Sequence, residues 1–298
     1  MISDVPQGHS SKTVSLVALC AILWGLYWVP IHVLSSRGLS GPMVSLLLTL
    51  AATLIALPIW LRSKPRLPEW RSLLGAIGIG AAFSLYGIAI TYSDVVRVVL
   101  LFYIAPAWST IIECLFFGRR WSWRSLFGIA LSLLGIIVIF RGELPLDGLG
   151  ALGDWMALFA GLSWSIGSAL MFSAKRIDLK VMMLSSFSIA VVISAACLLF
   201  LSNESRLLAT NQIGPLAVTF GLCALFAMIY VYPVTYITLW GATLISPATM
   251  SFLLTLEVIA AVVSSAIFLN LGFGLIELVG TCLIISAALV EVLRPRQA

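Results

Sequence analysis

Residues 72–91 read SLLGAIGIGAAFSLYGIAIT, a run of 20 residues without a charged side chain. At 1.5 Å per residue such a helix is about 30 Å long, the thickness of the hydrocarbon core of a bilayer. Within it Ser72, Ala76, Gly80 and Ser84 recur every fourth residue. Small side chains at that spacing let two helix backbones approach closely, which matters in lipid because no hydrophobic drive pulls helices together there. The run therefore predicts a membrane span packed tightly against a neighbour.

Nine further runs of the same kind surround it. The ten are 13–35, 42–61, 72–91, 95–117, 124–140, 150–172, 181–201, 213–237, 242–269 and 273–293. They fill most of the 298 residues, so no soluble catalytic or nucleotide-binding domain fits between them. Composition agrees: 61% of residues are apolar, 10% are charged, and the mean hydropathy is +1.11. A water-soluble domain carries about 25% charged residues. The expectation is an all-α polytopic membrane protein, one transmembrane domain over 1–298.

The few basic residues are informative by position. Ten spans place both termini on one side, and that side carries 13 of the 17 Lys and Arg residues: Lys12, Arg62, Lys64, Arg66, Arg71, Arg119, Arg120, Arg124, Lys175, Arg176, Lys180, Arg294 and Arg296. Arg37, Arg97, Arg141 and Arg206 lie opposite. Positive charge stays in the cytoplasm, so the termini are expected there, in a cell (inner) membrane. The net charge of +5 is mostly this topogenic signal and does not point to a nucleic-acid partner.

The second half echoes the first. A shift of 152 residues places Phe102-Tyr-Ile-Ala-Pro106 against Leu254-Thr-Leu-Glu-Val258, and Phe117, Gly128 and Leu131 against Leu269, Gly280 and Leu283, without a gap. Leu23-Trp24-Gly25 corresponds to Ser163-Trp164-Ser165. Five spans is an odd number, so a second copy enters the membrane upside down. The expected architecture is an inverted repeat, 12–141 followed by 150–294, of the kind that exposes a central site alternately to each side. In the sixth span Ala157, Gly161, Ser165 and Ala169 form a second small-residue stripe.

Enzyme chemistry is poorly supplied. The two histidines, His9 and His32, do not form an H-E-x-x-H site, and no Gly-Lys dipeptide offers a phosphate loop. Five cysteines are scattered singly inside spans. No cofactor, metal or obligatory protein partner is expected, and the chain is not expected to be an enzyme. A channel would need a continuous polar or charge-ringed path, and charges concentrate at the span ends instead.

Glu257 and Glu113 lie inside spans, where a carboxylate is costly unless protonated, paired or wetted. For Glu257 two readings stand: a proton or substrate-cation site, or a neutral acid bonded to Thr255, a tyrosine or free backbone. Glu113 is expected to reach the cytoplasmic side near Arg119 or Arg120. Pro30, Pro58, Pro106, Pro233 and Pro247 each remove a backbone hydrogen bond and are expected to break helices, Pro106 and Pro233 at the cavity. Aromatic residues gather near them. The candidate substrate-binding residues are Trp24, Tyr86, Tyr103, Trp108, Trp164, Tyr230, Tyr236 and Glu257.

These motifs resemble the drug/metabolite transporter (DMT) superfamily, in particular its EamA-type ten-helix exporters. The resemblance rests on Leu23-Trp24-Gly25, Ile90-Thr91-Tyr92-Ser93 leading to Phe102-Tyr-Ile-Ala-Pro106, Phe117-Gly118-Arg119-Arg120, and Ser246-Pro247-Ala248-Thr249 leading to Leu256-Glu257-Val258. Val258 stands where the family often has proline, so Glu257 lacks a proline to bend its helix. The resemblance implies a central cavity and export of small amphipathic metabolites, with amino acids, aromatic or otherwise hydrophobic, as the expected cargo. A multidrug or lipophilic-cation exporter is the alternative within that class, and a passive channel the alternative outside it.

Overall fold

The structure is a computed structural model that describes residues 11–35, 39–63, 68–93, 98, 101–118, 122–139, 152–201, 213–268 and 274–292. The basic residues Arg37, Lys64, Arg66, Arg97, Arg119, Arg120, Arg141, Arg206, Arg294 and Arg296 lie outside the described residues.

All regular structure among the described residues is helical. The elements are α1 (Ser11–Trp24), α2 (Trp28–Ser35), α3 (Gly41–Arg62), α4 (Trp70–Tyr92), α5 (Ala105–Phe116), α6 (Trp123–Ile139), α7 (Leu152–Ser173), α8 (Leu179–Leu201), α9 (Ile213–Phe226), a π-helical turn (Ala227–Val231), α10 (Tyr232–Ala242), α11 (Pro247–Leu254), α12 (Leu256–Phe268) and α13 (Leu275–Val292). Six apolar helical stretches of 22 to 26 residues are long enough to cross a bilayer. Leu199, Phe200, Phe116 and Ile267 face outwards, while Ser84, Ser109, Ser165, Thr110 and Ser194 are buried. An apolar exterior around an interior holding hydroxyls is what lipid as solvent selects. The chain is a polytopic helical membrane protein.

Helix starts follow local chemistry. Ser40 caps α3 with its hydroxyl towards the Met43 amide, and Ser246 caps α11 through the Thr249 amide. Pro42 and Pro247 follow these caps, where a missing N–H costs nothing. Pro30, Pro106 and Pro233 likewise stand in the opening turn of α2, α5 and α10. Pro58 is the exception: α3 runs through it unbroken to Arg62, so the expected break there does not occur.

Interruptions cluster in the middle of the bundle. α1 ends at Trp24, and the chain turns through Gly25 to Tyr27 on tightened bonds, Leu26 N–H to Leu23 and Tyr27 N–H to Trp24, both 2.8 Å. The chain turns at Tyr103 and Ile104 before α5. Helical structure breaks again at Thr255, whose amide reaches back three residues to Phe252 O at 3.2 Å. Thus the Glu257 helix is interrupted without a proline.

The closest packing is between α4 and α7. A Cβ on Gly167 would lie 2.9 Å from Gly75 O and Ile79 N, and one on Gly78 would lie 2.8 Å from Ser163 O. The two stripes seen in the sequence turn to other partners. Gly80 and Ser84 face α8, where the Ser84 hydroxyl is 2.7 Å from that of Ser194. Gly161 and Ser165 face α5, and the Ser165 hydroxyl donates to Ala105 O at 3.2 Å. Other packed pairs are α6 with α13, α3 with α8, α5 with α11, and α1 with α10, α11 and α12.

Because the α4–α7 contact is backbone on backbone, Gly167→Val has no flexible neighbour to push aside. Overpacking of this kind costs about 1–3 kcal/mol. The variant is expected to unfold at a lower temperature in detergent, whereas Gly221→Ala, where an added Cβ meets nothing within 4 Å, is not.

Candidate functional site

A cavity opens among the interrupted helices. It is lined from the first half by Trp24, Tyr27, Ile79, Ala82, Phe83, Tyr86 and Phe102, and from the second by Trp164, Thr235, Thr238, Leu239, Leu254 and Glu257. The walls are aromatic and interlocked in edge-to-face and tilted pairs. Trp24 meets Tyr27 and Phe83 with ring centres 5.4 and 5.7 Å apart, and Tyr86 meets Phe102 at 4.7 Å. Such walls suit a ligand with an apolar or aromatic body.

Polar handles are few and specific. The Tyr86 hydroxyl donates to Glu257 Oε1 at 3.1 Å, joining α4 to α12. The Trp24 indole donates to Thr238 Oγ1 at 3.0 Å, and that hydroxyl donates in turn to Val234 O at 2.8 Å. Two further lining residues each have a buried polar atom, Trp164 Nε1 and Thr235 Oγ1, without a hydrogen-bond partner among the described residues. Glu257 is the one acidic residue lining the cavity, and no Lys, Arg or His lines it among the described residues.

Gly25 explains how Glu257 arrives there. A Cβ at Gly25 would collide with the Glu257 carbonyl and lie 2.5 Å from Ala260 Cβ, so glycine lets the end of α1 settle on the first turn of α12.

Of the candidates read from the sequence, Trp24, Tyr86, Trp164 and Glu257 meet at this cavity. Tyr103 is buried just behind it, against Phe102, and its hydroxyl donates to Leu254 O at 3.1 Å. Tyr230 packs on Trp24 at 6.3 Å and donates its hydroxyl to Leu23 O. Trp108 and Tyr236 are not among the lining residues, and Tyr236 is 38% exposed. Pro106 and Pro233 open α5 and α10 beside the cavity. The residues the sequence reading passed over are Tyr27, Phe83, Thr235 and Thr238. A helical-phase signal was available for them: Tyr27 and Phe83 stand three residues from Trp24 and Tyr86, and Thr235 stands three from Thr238.

The other buried carboxylates do structural work. Glu113 is 4% exposed, and its Oε1 accepts the Ala248 amide at 2.8 Å, capping α11; its expected neighbours Arg119 and Arg120 lie outside the described residues. Asp154 accepts the Ser93 hydroxyl and ties the start of α7 to the end of α4. At the opposite end Glu69 accepts the Lys175 amide at 2.7 Å, so the same two spans are fastened at both ends.

Interrupted apolar helices around a cavity suit a membrane transporter, and the comparisons point the same way. Residues 11–141 match the EamA-like transporter family, and the EamA-type resemblance is borne out. The chain is 26% identical over 297 residues, 95% of each sequence, to a protein of Salmonella typhimurium named probable amino-acid metabolite efflux pump. It also shares its fold with a solved crystal structure, at a TM-score of 0.69 and 17% identity, over 95% of this chain and 98% of the other.

Tyr86→Phe removes one tyrosine donor from Glu257, and a buried polar group that loses a partner costs about 1–3 kcal/mol. The loss of thermal stability is expected to shrink in a Glu257→Gln background. Equal losses in both backgrounds would show that the 3.1 Å contact carries no coupling.

Proposed function

We propose that the protein is an inner-membrane carrier that exports small amphipathic metabolites, foremost amino acids with aromatic or other hydrophobic side chains, by alternating access around the central cavity. The observation that carries this reading is the cavity itself: aromatic walls from both halves enclose a single carboxylate, Glu257, suited to a substrate ammonium group. The name of the Salmonella relative favours the same cargo.

The carrier is built, in this reading, of ten spans as a 5+5 inverted repeat, 12–141 and 150–294, with both termini cytoplasmic. Packing supports the repeat because contacts occur in exchanged pairs. α4 packs on α7, and their counterparts α10 and α1 pack together; α5 on α7 is matched by α12 on α1, and α4 on α8 by α9 on α3. At finer scale the Gly25 position meets the Glu257 carbonyl, and its counterpart Ser165 meets the Ala105 carbonyl, the residue 152 places earlier. Excess basic residues on the side of the termini support the orientation.

A lipophilic-cation exporter is the second reading, favoured by the same carboxylate among aromatic rings. Substrate and lipid are the only partners either reading needs.

Purified protein in liposomes is expected to release labelled phenylalanine or tryptophan faster than empty liposomes, and unlabelled substrate on the far side should accelerate release. A channel would not show that acceleration. Glu257→Gln should raise the half-saturating concentration about tenfold, the scale of a lost hydrogen bond to a charged group. Equal release rates for every amino acid tried would overturn the proposal; loss in Glu257→Gln of lipophilic-cation transport alone would favour the second reading. Green fluorescent protein fused after Ala298 is expected to fluoresce, and alkaline phosphatase at the same place to stay inactive.

A further inference from the structure

Two cavity-lining residues each have a buried polar atom with no hydrogen-bond partner among the described residues. Trp164 is 7% exposed and Thr235 is 5% exposed; Trp164 Nε1 and Thr235 Oγ1 both lack a hydrogen bond. Buried polar groups in a folded protein are nearly all paired, because an unpaired one forfeits its hydration for nothing, and hydrocarbon makes that worse. The neighbouring groups show that pairing was within reach of the same residue types. Trp24, the counterpart of Trp164 in the sequence repeat, has its indole N–H on Thr238 Oγ1, and Thr238 bonds back to Val234 O in its own helix. Neither arrangement is made by Trp164 or Thr235. The two sit on α7 and α10, which pack together, while Glu257 approaches the cavity from α12.

We propose that Trp164 and Thr235 form the acceptor-binding pole of the substrate site, where the indole N–H and the hydroxyl donate to the carboxylate of an α-amino acid whose ammonium group faces Glu257. This rests on the amino-acid reading above and deepens it by assigning the orientation of the ligand. The ligand class follows from what the cavity lacks. No cationic side chain lines it among the described residues, so a bare anion would enter unneutralised, whereas an amino-acid zwitterion brings its own positive charge. Charge-assisted bonds from two neutral donors then hold the carboxylate, and the aromatic walls hold the side chain. A simple lipophilic amine can use Glu257 and the walls but has nothing to offer Trp164 and Thr235.

The test compares phenylalanine with phenethylamine, which keeps the ring and ammonium group and lacks the carboxylate. Half-saturating concentrations are measured by counterflow in liposomes for the full chain and for Trp164→Phe, Thr235→Val and Thr235→Ser. For Trp164→Phe and Thr235→Val the ratio of the phenylalanine value to the phenethylamine value is expected to rise about tenfold. Thr235→Ser, which restores the hydroxyl, should recover most of the loss seen in Thr235→Val, and this pair carries the test alone if Trp164→Phe does not fold. An unchanged ratio, or an equal loss for both compounds, overturns the assignment while leaving the amino-acid carrier standing. If the unaltered protein transports phenethylamine but no amino acid, or neither, both the assignment and the amino-acid reading fall.

Discussion

In hydrocarbon a backbone amide or carbonyl without a partner has no water to turn to, and each one costs several kcal/mol. Every interruption of a membrane helix must therefore be repaired by protein. This constraint explains where the chain breaks. The turn at Gly25–Tyr27, the turn before Pro106 and the break at Thr255 fall where another helix covers them: the end of α1 lies on α12, Gly161 lies against the Phe102 carbonyl, and the Tyr103 hydroxyl is on Leu254 O. On the lipid face such turns would be exposed and unpaid.

The same constraint creates the site. Breaks concentrated in the middle of the bundle leave room that regular helices would have filled, and the room is bounded by the residues at the broken ends: Trp24 and Tyr27 on one, Phe102 on another, Leu254 and Glu257 on a third. The spans that frame it behave differently. α4 and α7 are joined at both ends through Asp154 and Glu69 and have their backbones in contact, whereas the eighth span carries a π-helical turn directly before Pro233. The wall of the cavity is thus firm on one side and irregular on the other.

Much of this was legible in the sequence, for reasons that differ by residue. Spans were legible because lipid demands about 20 apolar residues at a stretch. Glu257 and Tyr86 stood out because polar groups are rare in such runs. Thr235 and Thr238 did not, since a threonine in a span usually bonds its own helix, as Thr110 does with Pro106 O at 2.8 Å. The bond from Glu113 to Ala248 was not legible, because that partner is 135 residues distant and is a backbone amide with no side-chain signature. Pro58 was misread because a proline marks a lost hydrogen bond, not the response to it; α3 absorbs the loss in a stretch already regular on both sides. Trp108 and Tyr236 stand near prolines along the chain but outside this cavity's lining, since nearness in sequence does not fix the 100° step between successive residues around a helix.

The glycine seam between α4 and α7 has a further consequence, for how the sequence can vary. At most positions in a protein interior a side chain can be exchanged for a larger or a smaller one, so drift in size is two-sided and neighbours compensate. Gly78 and Gly167 already have no side chain to lose, and what they touch is main chain, which has nothing to trim in return. Variation at this seam has only one direction, and that direction separates the helices.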